Sequence, residues 1–317
     1  MAQPQQRTVA QVGEFGVIDA VQPLFPQGSD VIVGPGDDAA VVAVPSGQVM
    51  VSTDLLVENR HFRCDWSSAE DVGHKAAAAS LSDINAMGGT ATGMVLGLGV
   101  PGTLPMAWVD ELARGLAEEV ALTGTSVLGG DVTASEHIVL SVTVLGACPD
   151  GVVRRSGARP GDVLAVCGRV GWSAAGYHVL GRGFRSPRVV VEAHRRPQPP
   201  YTAGPEAARL GATAMIDLSD GLLADVGHVA RASGVAVDVR PGALEVAEPL
   251  HAVGAALGMD PLRYVLTGGE DYALAATFPA DVALPAGWTV VGEVAEGSGV
   301  TVDGEEYDAA RGFEHFR

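Results

Sequence analysis

Residues Ala214 to Gly234 read AMIDLSDGLLADVGHVARASG. Ala214 to Leu218 is a short, mostly apolar run that ends at Ser219-Asp220-Gly221, and so reads as a strand running into a turn. From Gly221 to Ser233 the period changes. Leu222, Val226, Val229 and Ala230 recur at helical spacing, which puts them on one face of a helix. Ser219 or Asp220 supplies its cap, and Gly234 its stop. Strand, tight turn, helix is the unit of an α/β fold.

The same alternation extends through both halves of the chain. A short helix is expected near residues 14–21, and strands over 39–44, 48–57 and 92–100. A long helix is expected over 67–87, opened by a capping box of Ser67 and Glu70 and closed by Gly88-Gly89. Pro105 opens a second helix that runs to about residue 122. Further strands are expected over 126–128, 138–145, 163–167, 272–278 and 289–294. The tract HRRPQPPY (194–201) reads as an irregular loop. With 317 residues the chain is long enough for about two domains, and the boundary is placed near Asp150 (1–150 and 151–317).

Acids outnumber bases by 38 to 20, a formal charge of −18 that disfavours nucleic acid as a partner and favours metal cations. Lys75 is the one lysine. Three cysteines without any C-x-x-C spacing read as buried thiols in a reducing compartment. MAQPQQRTVAQ has no apolar signal core, and no run of about 18 apolar residues is present. A cytoplasmic protein with no membrane partner is the expectation.

The acids recur at element ends beside Gly, Ser or Thr: GPGDDAA (Asp37, Asp38), VSTDLL (Asp54), SLSDINAMGG (Asp83), LGGDVT (Asp131), IDLSDG (Asp217, Asp220) and TGGED (Glu270, Asp271). Carboxylates converging there need a counterion, or their pKa values rise. Mg²⁺ is hard, prefers oxygen and is commonly shared with substrate phosphates. Glycines beside the acids let backbone N–H groups approach a phosphate. The pattern points to a metal–nucleotide site. A P-loop, a dinucleotide fingerprint, an EF-hand loop, an H-E-x-x-H helix and a G-x-S-x-G elbow are all missing.

Taken in order, GEFGVI (13–18), GPGDDAAVV (34–42), STDLLVENRHF (52–62), KAAAASLSDINAMGG (75–89), GGDVT (129–133), RRSGARPGD (154–162), IDLSDGL (216–222), SGV (233–235), LTGGEDYAL (266–274) and GFEHF (312–316) resemble the thiamine-monophosphate kinase family. That family belongs to the superfamily of aminoimidazole ribonucleotide synthetase. The resemblance implies a two-domain α/β (α+β) fold. N-terminal strands form a barrel across a homodimer, and a C-terminal α/β domain completes the nucleotide cleft. It implies direct in-line transfer from ATP to thiamine monophosphate, the last step in making thiamine diphosphate. By the same resemblance several Mg²⁺ ions bind, and Asp38, Ser52, Thr53, Asp54, Asp83, Asp131, Asp217 and Asp220 form their shell. Gly130, Asp131, Arg155 and Ser219 hold ATP, and His61, Glu270 and Phe313 meet the thiamine substrate. No side chain is implied as a chemical catalyst beyond metal binding and positioning. None of the cysteines sits in an N-terminal Gly-rich segment or at the C-terminus, which sets aside two cysteine-dependent sister enzymes. A sister cyclase and a nucleotide sensor without turnover remain as alternatives.

Overall fold

The computed structural model describes residues 7–33, 41–45 and 47–307. It divides into two compact units, Met1–Ile84 with Thr90–Ala147, and Asn85–Gly89 with Cys148–Arg317.

The first unit runs α1 (Val9–Val21), β1 (Val31–Val33), β2 (Val41–Val42), β3 (Met50–Val57), α2 (Ala69–Ala86), β4 (Thr90–Val100), α3 (Met106–Ala121), β5 (Ser126–Ala134) and β6 (Val139–Ala147). Four strands form one sheet in the order β3-β6-β4-β5, with β4 and β5 parallel and the other pairs antiparallel. Strand β6 alternates strictly, and its Leu140, Val142 and Val144 are fully buried. Apolar residues of α2 (Ala76, Ala77, Leu81) and of α3 (Val109, Leu112, Leu116, Val120) are buried as well. Each large aliphatic side chain so buried is worth roughly 1.5–3 kcal/mol.

Helices α2 and α3 approach backbone to backbone. A Cβ on Gly73 would lie 2.2 Å from the Leu112 carbonyl oxygen, and one on Gly115 2.0 Å from that of Glu70. Only glycine fits at either point. The start of α2 differs by one residue from the sequence expectation. The reciprocal cap is Ser68 with Asp71, not Ser67 with Glu70: Ser68 N donates to Asp71 Oδ2 at 2.9 Å and Asp71 N to Ser68 Oγ at 3.2 Å. Strand β5 is longer than expected, so Gly129-Gly130-Asp131 lies within a strand and not beside one.

The second unit runs β7 (Asp162–Cys167), α4 (Trp172–Gly181), α5 (Arg188–Arg195), α6 (Ala203–Arg209), β8 (Ala214–Asp217), α7 (Leu222–Ser233), β9 (Ala236–Val239), α8 (Glu248–Leu257), α9 (Pro261–Thr267), β10 (Leu274–Pro279), β11 (Trp288–Ala295) and β12 (Gly299–Val302). Six strands form a mixed sheet in the order β12-β9-β11-β7-β10-β8. Its core includes Ala165, Met215, Leu274 and Phe278, with the Phe278 ring edge-on to Trp288 at 5.3 Å. The unit 214–234 forms as the sequence predicts: Leu222, Val226, Val229 and Ala230 are buried, and Gly234 ends α7 at φ 69°. The tract 194–201 departs from expectation. His194 and Arg195 form the last turn of α5, and His194 is buried.

Candidate functional site

In the first unit the pleat of β3 sorts the motif STD. Ser52, Asp54 and Leu56 pair with Val144, Val142 and Leu140, the buried residues of β6, and so share the inner face. Thr53 points the other way, where its hydroxyl meets that of Thr143 at 3.0 Å. Its side chain is therefore not gathered with Ser52 and Asp54. On the inner face the Ser52 hydroxyl donates to Asp83 Oδ2, near the C-terminal end of α2. Asp54 Oδ2 is buried and makes no hydrogen bond among the described residues. Burial raises the Asp54 pKa, only partly offset by the Ser80 hydroxyl and by His61. His61 Nδ1 accepts from Val57 N at 3.0 Å, which leaves Nε2 to carry the proton of the neutral ring. Lys75 is buried in α2.

Strand β5 carries the GGD motif. Gly130 pairs with Leu96 of β4, and a Cβ there would stand 1.9 Å from the Leu96 carbonyl oxygen. Asp131 follows on the exposed part of the strand. Asp37, Asp38 and Phe313 lie outside the described residues.

In the second unit two motif loops continue the β8–β10 pair. Leu274 pairs with Asp217, and beyond it Leu218 N donates to Ala273 O, Tyr272 N to Leu218 O and Glu270 N to Ser219 O (2.8–3.0 Å). IDLSDG and TGGED are thus one bonded structure. Asp217 ends the strand and is buried. Asp225, one turn into α7, accepts from Asp220 N and Gly221 N, both at 3.0 Å. Burial pushes its carboxyl up to about 7; Asp220 adds to the rise, and the two backbone bonds and the Arg155 guanidinium oppose it. Asp271 accepts from Gly171 N at 2.5 Å and Ser173 N at 2.8 Å, capping α4, and burial holds it at about 7. Ser233, the serine of SGV, ties down the segment that follows Arg155. Its hydroxyl bonds Arg155 O, Gly157 N and Ala158 N.

Among the described residues, two groups bring three ligand atoms within 4.8 Å of one another: Asp220, Asp225 and His228, and Glu70, His74 and Glu118. The first contains a residue singled out by its motif. The second joins α2 to α3, where His74 Nδ1 also lies 2.8 Å from Glu119 Oε2.

A family model described as AIR synthase related protein, N-terminal domain, matches residues 36–148. A thiamine-monophosphate kinase of Mycobacterium tuberculosis is 47% identical over 313 residues, covering 98% of this chain and 93% of the relative. The chain belongs to the thiamine-monophosphate kinase family. Two solved structures agree with the family fold. The thiamine-monophosphate kinase of Stenotrophomonas maltophilia superposes with a TM-score of 0.82 at 31% identity, covering 92% of this chain and 96% of that one. A structure described as AaThiL complexed with AMPPCP and TMP gives 0.82 at 32% identity, covering 99% and 100%. The fold of the chain is the AIR synthase-like fold of that family.

Three residues at these sites escaped the sequence reading. Asp225 had a usable signal, an acid on the otherwise apolar inner face of α7. His194, whose Nδ1 lies 3.5 Å from Glu270 Oε2, had one too: it follows Val190 and Val191 at helical spacing, and all three are buried. Ser173 carried none, since its importance comes from a contact with the distant Asp271.

Proposed function

We propose that this chain transfers the terminal phosphoryl group of ATP to thiamine monophosphate, giving thiamine diphosphate and ADP. The observation that carries this is likeness over nearly the whole chain to thiamine-monophosphate kinases, the relative at 47% identity foremost. The similar AaThiL structure is a complex with AMPPCP, an ATP analogue, and TMP, which supports the same pair of substrates here.

Mg²⁺ is the proposed metal, and the donor set fits it. Ser52, Asp54 and Asp83 offer oxygen ligands, and the buried Asp54 Oδ2 has no hydrogen bond to replace one. In the first unit Ser52, Asp54, Asp83 and Asp131 would hold it; in the second, Asp217 and Asp220. Thr53 would take no part through its hydroxyl, which faces Thr143. When bound, the metal neutralises charge between two anionic substrates. Gly130, Asp131, Arg155 and Ser219 orient ATP. The acceptor is a phosphate oxygen, already nucleophilic, so no side chain has to remove a proton from it. Glu270 supplies negative charge for the cationic thiazolium ring, and His61 donates from Nε2–H. By the resemblance alone, Asp38 joins the metal ligands and Phe313 stacks on the substrate.

We also read the protein as a cytoplasmic homodimer. Val51 and Leu55 on the outer face of β3 are 61% and 58% exposed, and Val95 of β4 shares that face. An apolar sheet face of this kind fits pairing with a second copy. Cys64, Cys148 and Cys167 are free thiols, as a reducing compartment allows.

The test is ADP release from ATP with and without thiamine monophosphate, at saturating Mg²⁺ and after chelation. Release that needs both, with thiamine diphosphate as product, supports the reading. Release with another acceptor, or none, moves the function to a sister enzyme or a sensor.

A further inference from the structure

Glu270 and Asp271 are adjacent acids held by one short stretch of the second unit. Asp271 takes the Gly171 and Ser173 amides at the start of α4. Ser173 also reaches the other acid indirectly. Its hydroxyl lies 3.0 Å from His194 Nδ1, and that nitrogen lies 3.5 Å from Glu270 Oε2. Ser173 is fully buried and His194 is 5% exposed, whereas a third of the Glu270 side chain is open to solvent. The chain of contacts therefore runs outward from a fixed interior to an exposed carboxylate.

The backbone that carries this carboxylate is constrained as well. Glu270 and Tyr272 both adopt left-handed backbone angles, φ 63° and 53°. Such angles are disfavoured for residues with a Cβ and persist where the surroundings impose them. The Glu270 backbone is itself held by its N–H bond to Ser219 O at 2.8 Å, so the side chain leaves the loop from a fixed point next to His194. His194 is itself fixed by helix α5, by Ser173, and by the Tyr177 ring edge-on at 5.8 Å.

We propose that His194 is a positioning residue for Glu270, and that Ser173 orients the His194 ring for this task. The imidazole fixes where the carboxylate points, and so sets the affinity for a cationic phosphoryl acceptor and not that for ATP. This rests on the reading that Glu270 meets the thiamine substrate.

The experiment compares the wild-type chain with His194→Ala, His194→Asn, Glu270→Gln and the double variant His194→Ala/Glu270→Gln. His194→Ala should raise KM for thiamine monophosphate by about tenfold, the scale of one charge-assisted contact, with KM for ATP unchanged. His194→Asn keeps an amide where Nδ1 stood and should restore most of that loss. In the Glu270→Gln background, His194→Ala should add nothing. Equal changes in both KM values, or additive effects in the double variant, would overturn the proposal. If His194→Ala does not fold, His194→Leu, which fills the buried site and offers no donor, takes its place alone and in the Glu270→Gln background. The imidazole signal of His194 in NMR, assigned by its loss in His194→Asn, gives a readout without turnover. It should shift in Glu270→Gln, and an unmoved signal rejects the link. Should the wild-type chain fail to phosphorylate thiamine monophosphate, the kinase reading falls, and the NMR signal still decides whether His194 and Glu270 are coupled.

Discussion

Ser52 and Asp83 are 31 residues apart in the chain and share a hydrogen bond, the serine hydroxyl donating to Oδ2 of the carboxylate. An inner-face residue of a strand and one near the end of a helix thereby meet beside the half-buried Asp54. Asp83→Asn is expected to lower Mg²⁺-dependent turnover by about 10²–10³, the scale for one lost electrostatic stabiliser. Ser52→Ala should lower it less, since Asp83 keeps its charge. Initial rates over a Mg²⁺ titration check both. Equal loss in the two variants would mean that the hydroxyl is itself essential.

Asp54 should behave oppositely in stability and in activity. Its carboxylate is desolvated and one oxygen has no hydrogen bond among the described residues, so the ionised form burdens the fold without metal. Asp54→Asn is expected to leave the metal-free melting temperature unchanged or higher, while the rise on adding Mg²⁺ shrinks and turnover collapses. Thermal melts with and without Mg²⁺ test this. A large drop in the metal-free melting temperature would contradict it.

Asp271 predicts a pH dependence. Burial raises its pKa from the ordinary 3.8 to about 7. The folded state thus holds the proton more tightly than the unfolded chain. This contribution to stability is complete below pH about 4 and is lost as pH rises through about 7. Every tenfold gain in proton affinity on folding is worth about 1.4 kcal/mol, so the slope is measurable. Asp271→Asn, which keeps one acceptor oxygen, should flatten it. Urea midpoints at half-unit pH steps give the comparison, and parallel slopes in the two proteins would rule it out.

Gly221 opens α7 at φ 121°, and a Cβ there would lie 2.7 Å from the Thr267 carbonyl carbon and oxygen. Strain and collision act together in Gly221→Ala. A loss of about 2–4 kcal/mol is expected in urea denaturation, together with a higher KM for ATP because Ser219 sits in the displaced loop. A midpoint within error of wild type would show that the loop relaxes freely.

The parts of the fold that could be read from sequence are those where local signals agree. In 214–234 an apolar run, a polar turn, a helical period and a terminal glycine all favour one structure, and it forms. The start of α2 is legible only to within a residue, because Ser67 and Ser68 offer the same cap and local pattern cannot choose between Glu70 and Asp71. The prolines at 197, 199 and 200 hid the helical end at His194. The length of β5 depends on pairing with β4, a partner distant in sequence. At the site, the acids are visible because one pattern, an acid at an element end beside Gly, Ser or Thr, recurs along the chain. Which acids share a face was only half read. Alternation along β3 already separates Thr53 from Ser52 and Asp54, whereas the meeting of Ser52 with Asp83 is a product of tertiary packing.

The glycine crossing of α2 and α3 bears on engineering. Exchanging helix glycines for alanine is a standard route to heat-resistant enzymes, since it restricts the unfolded chain. Here that recipe fails at Gly73 and Gly115, where a methyl group would drive apart the helix that carries Asp83 and its neighbour. A position to try is Gly227 in α7, whose added methyl would meet only Val300 Cγ2 at 3.9 Å. Gly176, Gly204 and Gly254 are as crowded, with a backbone oxygen 1.9–2.6 Å from the added carbon, and a library built without this distinction would discard the whole strategy for the fault of such positions.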